Sequence, residues 1–233
     1  MRRLLPFLVV AGIAVPSVAS AQQWVSLYVG GFTPRSADAR GDTVNGQSND
    51  VLVNNLDFLS FNIKDFNAPT IGGEYLVGLG DRFEGGLGVG LYSRTVPTVY
   101  NDFVNANGSE ITQDLKLRII PFTATVRFLP MGRHNGIEPY IGGGVGVLNW
   151  RYTETGQFLA NDNSIFSGNF VGSGTARGPV VLGGVRVPIA GWAVGGEVRY
   201  QSADATLPAD QGFAGTKIDL GGFNYLLTVN FKF

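Results

Sequence analysis

Cysteine is absent, and histidine occurs once in 233 residues. The first absence excludes disulfide stapling, thiolate metal ligation and cysteine nucleophiles. The second leaves His134 without a partner for acid–base or metal chemistry, in a short turn where a solvated histidine is expected. Charge is scarce at 15%, and 17 basic residues nearly balance 18 acidic ones for a net charge of −1. That balance gives no electrostatic case for nucleic acid or for an acidic substrate. Beyond the N-terminus no segment reaches ~18 consecutive apolar residues, so no helical span is expected.

What the chain does have is 34 glycines and 12% aromatics. It is too glycine-rich for an ordinary helical protein and too aromatic for disorder. Its start has the form of an export signal. Arg2 and Arg3 precede the apolar stretch 4–15, Pro16 breaks it, and Ala19-Ser20-Ala21 forms an A-x-A cleavage site. Residues 1–21 therefore read as a cleaved signal peptide and 22–233 as one domain.

The strongest pattern is at the other end. Phe223, Tyr225, Leu227, Val229, Phe231 and Phe233 share one parity, and Asn224, Leu226, Thr228, Asn230 and Lys232 share the other. A strand has a side-chain period of two, so this strand has an apolar and a mostly polar face. Lipid outside and a polar lumen inside demand such a pattern. In a soluble protein the same strand would be an aggregation edge.

Seven further alternating segments lie near 24–33, 70–80, 83–95, 113–129, 137–152, 176–187 and 192–204. The facing of the first is ambiguous. In the fourth, the apolar parity changes at Ile120-Pro121, which predicts a one-residue β-bulge there. The connections alternate between short turns (81–82, 130–136, 188–191) and long polar loops (34–69, 96–112, 153–175, 205–216). Segment 51–66 is apolar but fits neither period, and is expected to be an ordered loop or a cap on the mouth. The fold class is thus all-β, an eight-stranded antiparallel up-and-down transmembrane β-barrel with both mature termini on the short-turn, periplasmic side.

The inward parity predicts a charged lumen. Glu74, Glu84, Glu138 and Glu197 face Arg94, Lys116, Arg118, Arg127, Arg186, Arg199 and Lys232. Eight strands leave a lumen that side chains fill, and buried charges must be paired. The network proper is expected from Glu74, Glu84, Arg127, Glu138, Arg186, Glu197, Arg199 and Lys232. Glu84, Arg127, Glu138 and Arg186 should alternate in sign around the periplasmic end, with Arg127 nearly opposite Glu138 across one hairpin. Such a network acts as a structural plug or, with alternative pairings, as a gate.

Other chemistry has weaker support. Gly-x-Gly strings at 78–80, 86–90 and 142–146 lie inside strands rather than before a helix, so they suit wall packing better than phosphate binding. Asp42, Asn45, Asn49 and Asp50 could offer oxygens to Ca²⁺, but their spacing is not that of an EF-hand. Trp192, Tyr200, Tyr225, Phe231, Phe233, Phe83 and Phe128 fall toward strand ends, as interfacial girdles do.

The run Pro139-Tyr140-Ile141-Gly142-Gly143-Gly144-Val145-Gly146, the Gly72-Gly73-Glu74-Tyr75 strand start and the terminal aromatic strand resemble the small outer-membrane β-barrels of the OmpA/OmpX/OmpW type of Gram-negative bacteria. The resemblance covers the mature chain. It implies that Phe233, with Phe231, Val229 and Tyr225, forms the signal read by the barrel-assembly machinery. One departure from full-length OmpA is expected: the sequence stops at the barrel strand, without a C-terminal peptidoglycan-binding domain. The expected partners are outer-membrane lipids, the assembly machinery and a surface ligand of the loops, with no nucleic acid, no cofactor, no metal and a monomeric state. The expected role is that of a non-enzymatic structural and surface-display barrel; the alternatives are a narrow passive pore gated by the internal charges, and an adhesin or receptor acting through loops 34–69 and 153–175.

Overall fold

The computed structural model describes residues 22–44, 47–133, 136–160 and 162–233. The signal segment 1–21, Asn45 and His134 lie outside the described residues. Eight antiparallel strands form a closed barrel. They are β1 (Gln23–Pro34), β2 (Ala68–Leu79), β3 (Phe83–Val104), β4 (Glu110–Phe128), β5 (Glu138–Leu159), β6 (Ile165–Ile189), β7 (Trp192–Gln201) and β8 (Gly222–Lys232). Each pairs with its sequence neighbour, and β1 closes the ring against β8 with Trp24 opposite Lys232 and Pro34 opposite Gly222. Among the described residues no helix is long and apolar enough to cross a membrane.

Alternation sets the facing. On β8, Phe223, Tyr225, Leu227, Val229 and Phe231 are exposed, while Asn224, Leu226, Thr228 and Asn230 are buried. The exposed apolar row covers a rise of about 27 Å along the strand. A tilt of ~40° brings it to about 20 Å, close to the apolar band of outer-membrane barrels. Aromatic pairs mark both edges of the belt. Phe83 and Phe128 pack at a tilt with centroids 5.3 Å apart near the short turns, and Tyr200 and Phe223 lie 4.9 Å apart at the far rim. The facing of β1 is now fixed: Trp24, Ser26 and Phe32 are buried in the lumen, and Leu27 and Val29 face out.

Strand lengths are unequal. β3 to β6 run for 22, 19, 22 and 25 residues, against 12 or fewer for β1, β2, β7 and β8. Segments 96–112 and 153–175, expected as loops, are therefore mostly wall. Their outward residues are polar because water, not lipid, surrounds them.

The same fact corrects the expected bulge at Ile120-Pro121. The register of β4 against β5 is unbroken from Gln113 opposite Gly156 to Phe128 opposite Ile141. Against β3 it is the same on both sides of Pro121, with Val89 opposite Phe122 and Tyr92 opposite Ile119. The shift in this hairpin lies at its tip, between Val99 and Val104. What changes at Pro121 is the solvent. Below it Phe122, Ala124 and Val126 face lipid, and above it Lys116 and Arg118 face water on the same side of the strand. Lys116 and Arg118 are thus outside the barrel, not in the lumen, and Leu115, Leu117 and Ile119 point inward.

Those inward residues meet a plug. Segment 51–66 forms helix α1 (Val51–Asn55) and a 3-10 turn (Ile63–Phe66). Its Val51, Leu52, Leu59 and Phe66 pack against Leu115, Leu117, Trp150 and Tyr152 of the wall. Asp50 caps α1, accepting from the Leu52 and Val53 amides at 3.1 and 3.2 Å. Asp50 is itself buried and paired with Arg40 at 3.1 Å, so it is engaged as cap and ion-pair partner rather than as a Ca²⁺ ligand. Among the described residues no acid or histidine cluster could hold a metal.

Candidate functional site: the charged lumen

Within the belt the lumen carries two ion quartets. The upper one joins Glu74 of β2, Arg127 of β4, and Glu197 and Arg199 of β7. Arg127 Nη2 bonds Glu74 and, at 2.9 Å, Glu197 Oε2. Arg199 Nη2 reaches Glu74 Oε2 at 3.0 Å and Glu197 Oε1 at 2.7 Å. Signs alternate around a closed ring of four. The Thr125 hydroxyl donates to Glu74 Oε1 and the Tyr140 hydroxyl to Glu197 Oε2, both at 3.0 Å, so the carboxylates keep further donors.

The lower quartet lies at the short-turn end. Arg186 Nη2 bonds Glu84 Oε1 at 3.1 Å and Glu138 Oε2 at 2.8 Å. Arg133, from the turn between β4 and β5, reaches Glu84 at 3.6 Å and donates to the Gly80 and Phe83 carbonyls at 2.7 Å. Each quartet has two acids and two bases, and is neutral. All of Glu74, Glu84, Arg127, Glu138, Arg186, Glu197 and Arg199 are buried.

Topology gives these contacts their meaning. In the ring, β4 and β7 are three strands apart, as are β2 and β7, and β3 and β6. Among eight strands that separation is nearly diametric. The Arg127–Glu197, Arg199–Glu74 and Arg186–Glu84 bonds therefore cross the lumen instead of running along its wall. Three inward aromatics support the arginines from the side. Arg127 lies 4.9 Å over Tyr140, Arg186 5.0 Å over Trp24 and Arg199 5.5 Å over Tyr28. Glycines leave the space: a Cβ at Gly86 would stand 2.5 Å from Glu74 Oε1, and one at Gly184 2.5 Å from the Tyr140 hydroxyl.

Several expectations change. Arg127 pairs in register with Glu84 and Gly142, not with Glu138, because Glu138 lies beyond the last β4–β5 rung. Arg127 also turns away from Glu84 and reaches up to Glu74 and Glu197, so it leaves the belt expected at the periplasmic end and joins the upper quartet. Lys232 is exposed at the end of β8 and forms no ion pair among the described residues. Arg94 is exposed at the rim, where its Nε donates to the Asp65 carbonyl at 2.8 Å. Arg133 was missed because its turn reads as solvated, and only its position beside a lumen carboxylate singles it out. Tyr225, Val229 and Phe231 lie on the outer face, and Phe233 is exposed beyond the strand, its amide donating to Gln23 O at 3.0 Å.

No protein-family model and no curated protein matches the chain. Solved structures do. The outer membrane protein OprG of Pseudomonas aeruginosa is 15% identical, with a TM-score of 0.54 over 92% of this chain and 96% of that one. The attachment invasion locus protein Ail of Yersinia pestis is 10% identical, with a TM-score of 0.44 over 92% and 100% of the two chains. Outer Membrane Protein W of E. coli is 14% identical, with a TM-score of 0.40 over 93% and 100%.

Proposed function

We propose that this chain, a small outer-membrane β-barrel by fold, is a closed and non-enzymatic barrel of the outer membrane. Its role is to maintain the membrane and to hold a rigid extracellular collar at the surface. The observation that carries this reading is that both neutral ion quartets reach across the lumen. Above them Leu117, Ile119, Trp150 and the inserted Leu52 and Phe66 fill the same axis.

The location is supported by the exposed apolar belt and by the position of the connections. All three short turns lie at the end where β1 begins and β8 stops. With short turns periplasmic, both mature termini are periplasmic after removal of 1–21. The outward row Tyr225, Val229 and Phe231, with Phe233, is the surface we assign to the barrel-assembly machinery. The barrel works as a monomer, without cofactor or nucleic acid.

A planar-bilayer recording of the refolded mature chain beside Arg127→Ala tests this. Silence of the unaltered chain is expected. Stable unitary openings that Arg127→Ala changes would make the quartets a gate and the narrow pore the better reading.

A further inference from the structure

Above the membrane belt, the collar holds a half-open cavity of about 350 Å³ between its wall and the covering loops. That volume is in the range of small-molecule sites. Three of its lining side chains are polar and nearly inaccessible: Asn55 at 1%, Gln113 at 3% and Glu154 at 5% exposure. They belong to α1, β4 and β5, so the fold brings them together from distant parts of the chain.

Glu154 differs from every other buried acid among the described residues. Asp50, Glu74, Glu84, Glu138, Glu197 and Asp219 each have an arginine partner, and no ion pair reaches Glu154. Its Oε1 accepts from Asn55 Nδ2 at 2.7 Å and from the Tyr152 hydroxyl at 2.8 Å. Nothing cationic offsets its charge, and burial pushes its carboxyl above the usual range.

Two neighbouring acceptors are also unmatched. The Gln113 amide nitrogen donates to the Tyr100 hydroxyl at 3.1 Å and the Gln157 carbonyl at 2.9 Å, leaving Oε1 buried without a donor. Asn55 Oδ1 is buried without a donor as well. A buried acceptor left unmatched costs about 1–3 kcal/mol. The remaining walls are aromatic. Phe158 and Phe170 meet edge to face at 4.6 Å, and Phe58 lies 5.8 Å from Tyr100.

We propose that this cavity is a binding site for a small organic ammonium ion. The ammonium hydrogens answer the Glu154 carboxylate, the one buried acid among the described residues with no arginine partner, and the aromatic faces stabilise the charge and the attached apolar group. A hard metal ion fits less well, since Ca²⁺ takes 6–8 oxygens. A neutral apolar solute would leave the Glu154 charge without a counter-ion. The site lies above both quartets and is independent of whether the lumen conducts.

The test is calorimetric titration of the refolded mature chain, in an uncharged maltoside micelle, with phenethylammonium and with 2-phenylethanol. The two share shape and ring but differ in charge. The ammonium should bind at least tenfold more tightly, and Glu154→Gln should remove that preference while leaving heat-modifiable migration of the barrel unchanged. Should Glu154→Gln fail to fold, the comparison of the two ligands on the unaltered chain still decides. Equal affinity for the alcohol, retention of the preference in folded Glu154→Gln, or absence of ammonium binding would each overturn the proposal.

Discussion

The two halves of this barrel are built on the same strands with opposite chemistry. Below Pro121, β4 directs Phe122, Ala124 and Val126 outward and Thr123, Thr125 and Arg127 inward. Above it, the same outward face carries Lys116 and Arg118, and the same inward face carries Leu115, Leu117 and Ile119. β5 repeats the change, from Ile141 and Val145 outside and Glu138 inside to Asn149 and Arg151 outside and Trp150 and Tyr152 inside. The lower half is an inverted protein in lipid, held at its axis by ion pairs. The upper half is an ordinary water-soluble β structure with an apolar core. Side-chain parity follows the backbone, but which parity is apolar follows the solvent.

The two interiors should therefore fail in different ways. The largest effect is expected from Arg127→Ala, which removes a partner from both Glu74 and Glu197. Breaking a buried pair costs about 3–5 kcal/mol, to be read from urea unfolding in vesicles. The collar has its counterpart in Leu52→Ala. Truncating this fully buried plug residue should cost about 2–5 kcal/mol, seen as faster proteolysis of segment 51–66 with the membrane span intact. Equal loss of the span in both variants would mean that the halves are one cooperative unit.

A smaller pair of changes tests the outside. Leu87 and Thr95 lie on the same outward face of β3, both exposed. Leu87→Lys should cost about 2–4 kcal/mol in the bilayer, and Thr95→Lys should stay within ~0.5 kcal/mol. Similar costs at both positions would remove the solvent boundary between them.

The smallest effect concerns pH and belongs to the collar alone. Burial raises the Glu154 carboxyl above its unfolded value. The folded collar then holds more protons than the unfolded one, so its stability falls as pH rises from the unfolded value of ~4.3 toward the raised folded one. Below that window the contribution is fully present. The urea midpoint for loss of the Trp150 environment, followed against pH in the wild type and Glu154→Gln, checks this. The variant should lack that part of the slope.

Much of the span was legible in the sequence because alternation on β8 or β2 needs only one solvent on each side. The eight strands and most lumen charges follow from it. The collar was harder to read. Segments 96–112 and 153–175 look like loops because their outward residues suit water, and a change of solvent at Pro121 has the same signature as a one-residue bulge. The partners of Arg127 were hidden for another reason. A long side chain chooses among carboxylates at two heights, and register alone points to Glu84. The union of Asn55, Gln113 and Glu154 is non-local and has no spacing to betray it.

The reversal at Pro121 is the centre of this account, and the absence of cysteine makes it directly measurable. Single cysteines at Phe122, Ile119 and Arg118 would carry spin labels in the bilayer-embedded protein, read by collision with oxygen and with a water-soluble nickel chelate. An oxygen-rich, chelate-poor label is expected at 122, a chelate-accessible label at 118, and a label at 119 shielded from both. A label at 119 that senses lipid, with 118 shielded inside, would restore the bulge and contradict the two-solvent barrel.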